Sequence, residues 1–207
     1  MTRQVDYYFS LQSPWAYIGH KPFRKLVSTY DLKVNYKPVQ LIDLFAESGG
    51  LPLAKRHPAR QRYRMVELQR WRDKRGLNFH LEPVNWPFNA RLADGVVIAA
   101  LEAGLDPEPF LRRAYPAVWE DQLSLADSQT LVKLADAAGL PGEQLVARAG
   151  TDAVSATYEQ NRQDALDADV FGSPGYVLDG EVFWGQDRIE LLEDALKSGR
   201  EPYNFQG

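Results

Sequence analysis

The pattern of apolar and polar residues in the first part of the chain predicts a strand, a helix and a second strand. Residues 4–11, QVDYYFSL, are rich in β-forming residues and predict the first strand. Apolar residues then recur at helical spacing through Trp15 and Ile18, which predicts a helix to about Thr29. From Leu32 apolar and polar residues alternate, as in a half-buried strand. Because a helix connects the two strands, we expect them to be parallel.

The middle of the chain, from Ile42 to Ala168, is predicted to be helical, without a convincing strand. Proline near the helix starts and glycine after the helix ends mark the boundaries. The predicted helices have approximate bounds of 58–75, 89–103, 106–119, 128–138, 141–150 and 152–168. Ser128 is predicted to cap the fourth of these helices.

Two short strands and a final helix are predicted after the helical region. The segments GYVL and EVFW are separated by Asp179-Gly180, which is a strong signal for a hairpin turn. Asp187 and Glu190 form a D-x-x-E pattern that predicts the capped start of the last helix. The remaining residues, REPYNFQG, form a tail for which the pattern predicts no element.

The order of these elements is that of an α/β protein with a thioredoxin-like fold and a large helical insertion. The 207 residues, 44% of them apolar, are enough for a sizeable core. We expect residues 1–41 and 169–207 to form one thioredoxin-like domain, because together they supply a β-α-β and a β-β-α half. Residues 42–168 would then be an inserted helical domain.

Composition excludes several kinds of chemistry. The chain has no cysteine, so disulfides, thiolate metal sites and a cysteine nucleophile are excluded, and any thiol must come from outside. His20, His57 and His80 lack paired ligand spacing, so we expect no metal site. A formal net charge of −4 gives no electrostatic footprint for nucleic acid. No apolar run is long enough to span a membrane and no targeting segment is visible, which predicts a cytoplasmic protein.

Ser13-Pro14 lies where the first strand meets the first helix, the place where a thioredoxin-like domain keeps its reactive group. The helix N-terminus there offers free N–H groups and positive potential to an anionic sulfur. Ser13 and Ala16 occupy the two positions of a C-x-x-C pair, so dithiol oxidoreductase activity is excluded. Two interpretations of Ser13 stay open. It is either an ordinary helix cap, worth about 1 kcal/mol, or a cap whose hydroxyl also donates to a docked thiolate and lowers the thiol pKa.

Two further segments are candidates for ligand binding. Gly172-Ser173-Pro174 precedes the third strand, where a cis-proline would turn the Ser173 backbone outwards to pair with an extended peptide. At the last helix, N–H groups near Gln186 and Asp187 would hold an α-carboxylate, while the Asp187 carboxylate pairs with an α-amino group. A γ-glutamyl group carries both charges. The alternatives are a plain proline at the start of a strand and a helix start without a ligand.

Together these segments resemble the 2-hydroxychromene-2-carboxylate isomerase family, which is similar to kappa-class glutathione transferases and, more distantly, to DsbA-like proteins. The resemblance covers nearly the whole chain. It is carried by VDYYFSLQSPWAYIG, by Pro58, Arg60 and Tyr63 followed by RW, by NWPFNARLA, and by FGSPGYVLDGEVFWGQDRIELLE. The last of these segments is the most specific.

The resemblance implies a glutathione-dependent isomerase that opens and re-forms the ring of an aromatic hydroxychromene carboxylate in naphthalene-type degradation. Ser13 would hold the glutathione thiolate, which would add reversibly to the substrate as a covalent catalyst. The other implied residues are Ser173 and Pro174 at the cysteinyl backbone, Gln186 and Asp187 at the γ-glutamyl end, Arg60 at the glycine carboxylate, and Asn89, Trp86 and Phe88 on the substrate side. Relatives also suggest a homodimer.

Two departures from the family pattern bear on this prediction. Gly50 stands about where relatives commonly have an asparagine that contacts glutathione, and Ser10 stands where an aspartate is common. Two other functions also stay open. A kappa-like glutathione transferase or peroxidase would use the same thiolate on a different electrophile, and a non-catalytic thioredoxin-like module would bind a peptide at the cis-proline, with Ser13 only a cap.

Overall fold

A four-stranded mixed sheet organises the protein, whose computed structural model describes residues 3–204. The strands are β1 (Gln4–Phe9), β2 (Lys33–Pro38), β3 (Gly175–Leu178) and β4 (Glu181–Trp184), in the spatial order β2-β1-β3-β4. β1 pairs with β2 in parallel and with β3 antiparallel, and β3 pairs antiparallel with β4. The predicted parallel β-α-β unit is confirmed.

The helices follow the predicted order. They are α1 (Pro14–Thr29), α2 (Leu41–Glu47), α3 (Pro58–Arg75), α4 (Arg91–Glu102), α5 (Glu108–Trp119), α6 (Ser128–Ala137), α7 (Gly142–Ala149), α8 (Asp152–Asp167) and α9 (Ile189–Ser198). Short 3-10 helices cover Leu53–Lys55 and Gln186–Arg188. The apolar pattern, with proline and glycine at the helix ends, located every helix from α3 to α8 to within a few residues. The helix α2 was included in the predicted helical region without bounds of its own.

Two predicted helix starts are wrong in detail. The cap of α6 is Asp127, whose Oδ2 accepts a hydrogen bond from the Thr130 amide at 2.8 Å, and Ser128 is already helical. The D-x-x-E pattern at Asp187 does not cap α9, because Gly185, with φ of 103°, leads into the 3-10 helix instead. Asp187 therefore lies inside that 3-10 helix, and α9 begins after Arg188 without a side-chain cap.

The core is continuous from the sheet into the helical block. Tyr7 on β1 stacks on Phe9 and on Tyr176 of β3, with ring centroids 4.4 and 5.3 Å apart. The same buried cluster includes most of α4 and the fully buried Trp119 at the end of α5. Because one apolar cluster joins both parts, the boundaries of the sheet domain and the inserted domain stay a prediction.

The hairpin and the tail close one edge of the sheet. Asp179 and Gly180 have φ of 52° and 87°, as a tight turn of the expected kind requires. Glu181 on β4 accepts hydrogen bonds from Arg200 at 2.7 Å and from the Tyr203 amide at 3.0 Å, so the first part of the tail docks on the edge strand. Residues 205–207 lie outside the described residues. Within residues 3–204, no helix is long and apolar enough to cross a membrane.

Gly19 marks a close approach between α1 and the 3-10 helix before α9. A Cβ added there would lie 2.8 Å from the Cβ of Gln186 and 3.0 Å from the hydroxyl of Tyr176. We expect Gly19→Ala to destabilise the protein by about 1–3 kcal/mol, because overpacking outweighs the better helix propensity of alanine. Denaturant unfolding measures this. The matched control is Gly150→Ala, where the nearest atom would be 3.8 Å away, and an equal effect of both changes would contradict the explanation.

Candidate active site

Ser13 caps α1 and at the same time contacts the loop before β3. Its Oγ accepts a hydrogen bond from the Ala16 amide and donates one to the Ser173 carbonyl, both at 3.2 Å. The predicted cap is confirmed, and Pro14 occupies the first helical turn as expected. The residue is only 3% exposed. Since a hydroxyl carries one proton, donation to a docked thiolate requires the Ser13 hydroxyl to rotate away from the Ser173 carbonyl.

The loop before β3 is held against the end of β1. The Ser173–Pro174 peptide bond is cis, as predicted. The Ser10 amide donates to the Ser173 Oγ at 3.2 Å, and the Gly185 amide donates to the Pro174 carbonyl at 2.8 Å. The Ser173 carbonyl, expected to face outwards for a peptide, is instead the acceptor for Ser13. Ser13, Ser173 and Pro174 are thus brought together at one end of the sheet.

A buried carboxyl group that sequence reasoning missed supports this arrangement. Asp94 on α4 is fully buried, and its carboxylate accepts hydrogen bonds from the Leu11 amide at 2.9 Å and from the hydroxyls of Ser10 and Tyr158 at 2.8 Å each. Burial raises the Asp94 pKa to about 7, although these donors favour the charged form. The only signal in the sequence was an aspartate within the apolar run of α4, RLADGVVIAALE.

The Asp94 contacts extend to Ser13 through the chain between β1 and α1. The Ser10 carbonyl accepts a hydrogen bond from the Ser13 amide at 3.0 Å. Ser10 is itself fixed, because its hydroxyl donates to Asp94 and its amide donates to the Ser173 Oγ. Ser10 was noted as a departure from the family pattern. In this chain the serine at that position binds a carboxylate supplied by a different element.

A basic cavity with aromatic residues in its lining includes Trp15 from the first turn of α1. It has a volume of about 490 Å³ and is lined by Trp15, Arg56, Ala59, Arg60, Tyr63, Arg64 and Glu67. The structure therefore places Arg60 beside Trp15, two residues along the chain from Ser13. Of the three arginines in this lining, only Arg60 was assigned to a ligand from the sequence, although the regular spacing of four residues from Arg56 through Arg60 to Arg64 was a usable signal.

Trp86 connects this cavity with the loop before α1. Its indole Nε1 donates to the Gln12 carbonyl at 2.9 Å, and the Arg64 guanidinium lies 5.0 Å from the centre of its ring. Phe88, predicted on the substrate side, is 9% exposed and part of the core, while its carbonyl accepts from the Gln12 side chain. Asn89 lines a separate hollow with Arg91 and Ser155, among others. The structure therefore brings Trp86 against Arg64 of the Trp15 cavity, although Trp86 is not part of the lining, whereas Asn89 lies at the separate hollow.

Gln186 and Asp187 lie in the 3-10 helix beside α1. Gln186 is 2% exposed, and its side-chain oxygen accepts a hydrogen bond from Arg75 at 3.2 Å. Asp187 pairs with the neighbouring Arg188 at 2.5 Å. The Asp187 side chain is 43% exposed and its partner is also at the surface, whereas the Gln186 side chain is already engaged inside the protein.

The N-terminal end of α1 suits an anion. Its first turn contains no acidic residue, so the positive end of the helix dipole is not offset locally. Among residues 3–204 no group of histidine, aspartate or glutamate side chains is arranged to hold a metal ion. What the site offers is a hydroxyl at a helix N-terminus, opposite a cis-proline loop and beside a basic cavity.

The mixed sheet, the cis-proline loop and the capped first helix define a thioredoxin-like protein. Residues 4–197 match the model of the DSBA-like thioredoxin domain family, and the chain belongs to that family. The fold prediction is confirmed. The serine at the reactive position, in a chain without cysteine, distinguishes it from dithiol members.

Several named proteins are similar over nearly their whole length. A 2-hydroxychromene-2-carboxylate isomerase from Sphingobium xenophagum is 26% identical, with 95% of this chain and 99% of that protein covered. Glutathione S-transferase kappa 1 from Caenorhabditis elegans is also 26% identical, with 94% and 91% covered. The solved structure of an HCCA isomerase has a TM-score of 0.81 at 25% identity and covers 94% of this chain and 95% of that one. These findings confirm the stated resemblance.

Proposed function

We propose that the protein is a glutathione-dependent isomerase of an aromatic hydroxychromene carboxylate, of the type that interconverts 2-hydroxychromene-2-carboxylate and trans-o-hydroxybenzylidenepyruvate. The observation that carries the proposal is the Ser13 hydroxyl, held at the N-terminus of α1 opposite Ser173 in a chain without cysteine. Similarity to isomerases and to kappa-class glutathione transferases supports the choice of reaction and thiol. We place the enzyme in aromatic catabolism in the cytoplasm, as a homodimer.

Glutathione would bind along the Ser13 end of the sheet. Its thiolate would lie at the α1 N-terminus, stabilised by backbone amides and by the rotated Ser13 hydroxyl. The Ser173 and Pro174 backbone would hold the cysteinyl part. Backbone amides near Gln186 and the Asp187 carboxylate would hold the γ-glutamyl end, and Arg60 the glycine carboxylate.

The proposed chemistry leaves glutathione unchanged. The ring hemiketal of the substrate opens to a keto acid whose ketone is conjugated with a C=C bond. The sulfur then forms a C–S bond at the carbon of that double bond farther from the ketone, while an electron pair moves to the ketone oxygen. The former double bond is then single and rotates. Return of the electron pair expels the thiolate and restores the double bond in its new geometry, so the thiol acts as a regenerated covalent catalyst.

The test follows substrate, product and total reduced glutathione during turnover. We expect isomerisation that requires glutathione and leaves its concentration constant. Consumption of glutathione with a chlorinated aromatic or a peroxide, without isomerisation, would favour a kappa-like transferase or peroxidase, to which the kappa relatives give support. No glutathione binding at all would favour the non-catalytic module.

A further inference from the structure

The cavity beside Trp15 holds more positive charge than its surroundings compensate. Arg56, Arg60 and Arg64 all line it, and none forms an ion pair with a carboxylate among residues 3–204. Glu67, the acidic residue of the lining, pairs with Arg70 at 2.5 Å. Like charges that converge on one cavity repel one another, so an arrangement of this kind favours an anionic ligand.

Of the two half-buried arginines in this lining, Arg56 and Arg64, Arg64 has the weaker hydrogen bond. Its hydrogen-bond partner among the described residues is the weakly accepting Met65 sulfur, at 3.7 Å. Burial, reinforced by the charge of Arg56, lowers the Arg64 pKa to about 10. Burial and the charge of Arg60 lower the Arg56 pKa in the same way. A half-buried guanidinium with free donors and a cationic neighbour is stabilised when a carboxylate accepts its hydrogen bonds.

The walls of the cavity fit a planar ring. Trp15 and Tyr63 line it, and Tyr63 is 60% exposed. The Arg64 guanidinium also lies over the Trp86 ring, 5.0 Å from its centre, and this stacking on an aromatic face orients it. Arg56 is also fixed, because its Nε donates to the Leu51 carbonyl at 2.7 Å and leaves the two terminal nitrogens for a ligand.

We infer that Arg64, assisted by Arg56, binds the carboxylate of a second reactant, a planar aromatic acid whose ring lies against Trp15. This inference rests on the proposed function, because the proposed function assigns Arg60 to the glycine carboxylate of glutathione and leaves Arg64 for the second reactant. Two carboxylates would then share the basic surface, one bound by Arg60 and the other by Arg64. The second reactant would be selected for its acid group as well as for its ring.

Calorimetric titration with 1-naphthoate tests the inference, with the uncharged 1-naphthalenemethanol as its matched analogue. We expect naphthoate to bind the wild type at least about tenfold more tightly than the alcohol, because a charge-assisted hydrogen bond is worth about 1.5–3 kcal/mol. Arg64→Gln should weaken naphthoate binding by about 10–100-fold and leave alcohol binding within about twofold. Arg64→Lys should fall between, because the charge remains and the planar fork is lost.

Arg62→Gln is the control for general charge, since Arg62 is exposed on the same helix and does not line the cavity. It should bind naphthoate as the wild type does, and thermal unfolding should show that all variants fold.

Equal weakening of naphthoate binding by Arg62→Gln and Arg64→Gln overturns the inference. So does a loss of glutathione binding in Arg64→Gln with naphthoate binding unchanged, which would assign Arg64 to the glycine carboxylate and leave the proposed function intact. Naphthoate binding that depends on Arg64, in a protein that does not bind glutathione, supports the acid site and contradicts the glutathione-dependent function instead.

Discussion

Replacing Ser13 by alanine is expected to reduce the glutathione-dependent kcat/KM by about 10²–10³, the range for removing one donor from a preorganised anion site. The hydroxyl would no longer be able to donate to the thiolate, whose pKa would rise towards its free value of about 8.5. Activity followed across pH, together with the ultraviolet band of bound thiolate, measures both effects. Part of the lost activity should return at alkaline pH, where the thiol ionises without help.

The stability of the Ser13 variant must be separated from its chemistry. Loss of the cap should cost about 1 kcal/mol, and Asp127→Ala, which removes the cap of α6, is the matched control that should lose stability and keep activity. Ser13→Asp adds a second test, because a carboxylate can accept from the Ala16 amide but cannot donate to a thiolate. Full activity in either Ser13 variant would leave Ser13 as a cap only and contradict its proposed role at the thiolate.

Replacing Asp94 by asparagine is expected to remove a pH-dependent loss of stability. The size of that loss is about 4 kcal/mol, at about 1.36 kcal/mol for each unit of the pKa shift. The pKa is raised from 3.8 to about 7 in the folded protein, because burial disfavours the charged form. The unfolded chain therefore releases the Asp94 proton first as the pH rises. Between these two pKa values the contribution of Asp94 to stability falls with rising pH, and above the folded value it stays low.

Urea unfolding of wild type and Asp94→Asn across this range tests the assignment. The variant, which has no proton to lose, should gain stability relative to wild type as the pH rises towards about 8. Asp73→Asn is the control, because its side chain is 81% exposed and a surface change should stay within about 0.5 kcal/mol at every pH. A difference between wild type and Asp94→Asn that does not vary with pH would show that the carboxyl group keeps an ordinary pKa.

Tyr158→Phe extends the same prediction to the partners of Asp94. The Tyr158 hydroxyl donates to the carboxylate at 2.8 Å, so its removal leaves a less satisfied anion. The pH at which stability stops falling should therefore move upwards. Ser10 joins Asp94 to the chain that carries Ser13, so these contacts link the buried carboxyl group to the active-site end.

The sequence by itself determined the order and type of nearly all elements, because those depend on local patterns. Proline and glycine set the limits of α3, from Pro58 to the left-handed Gly76, and Asp179-Gly180 fixed the β3–β4 hairpin. Ser13-Pro14 was recognisable as a helix start because the cap and the proline act within one turn. The local pattern failed at Asp187, where the backbone turn at Gly185 overrides a sound capping sequence.

Tertiary structure alone decided which distant residues meet at the active-site end. Ser13 and Ser173 are 160 positions apart, and Ser10 and Asp94 are 84 apart, so no local periodicity relates them. Whether a predicted ligand residue is accessible was also decided by packing, as the burial of Gln186 against Arg75 shows. Such contacts depend on how α3 and α4 pack against the sheet, which local patterns do not encode, whereas helix limits depend on neighbours within a few residues.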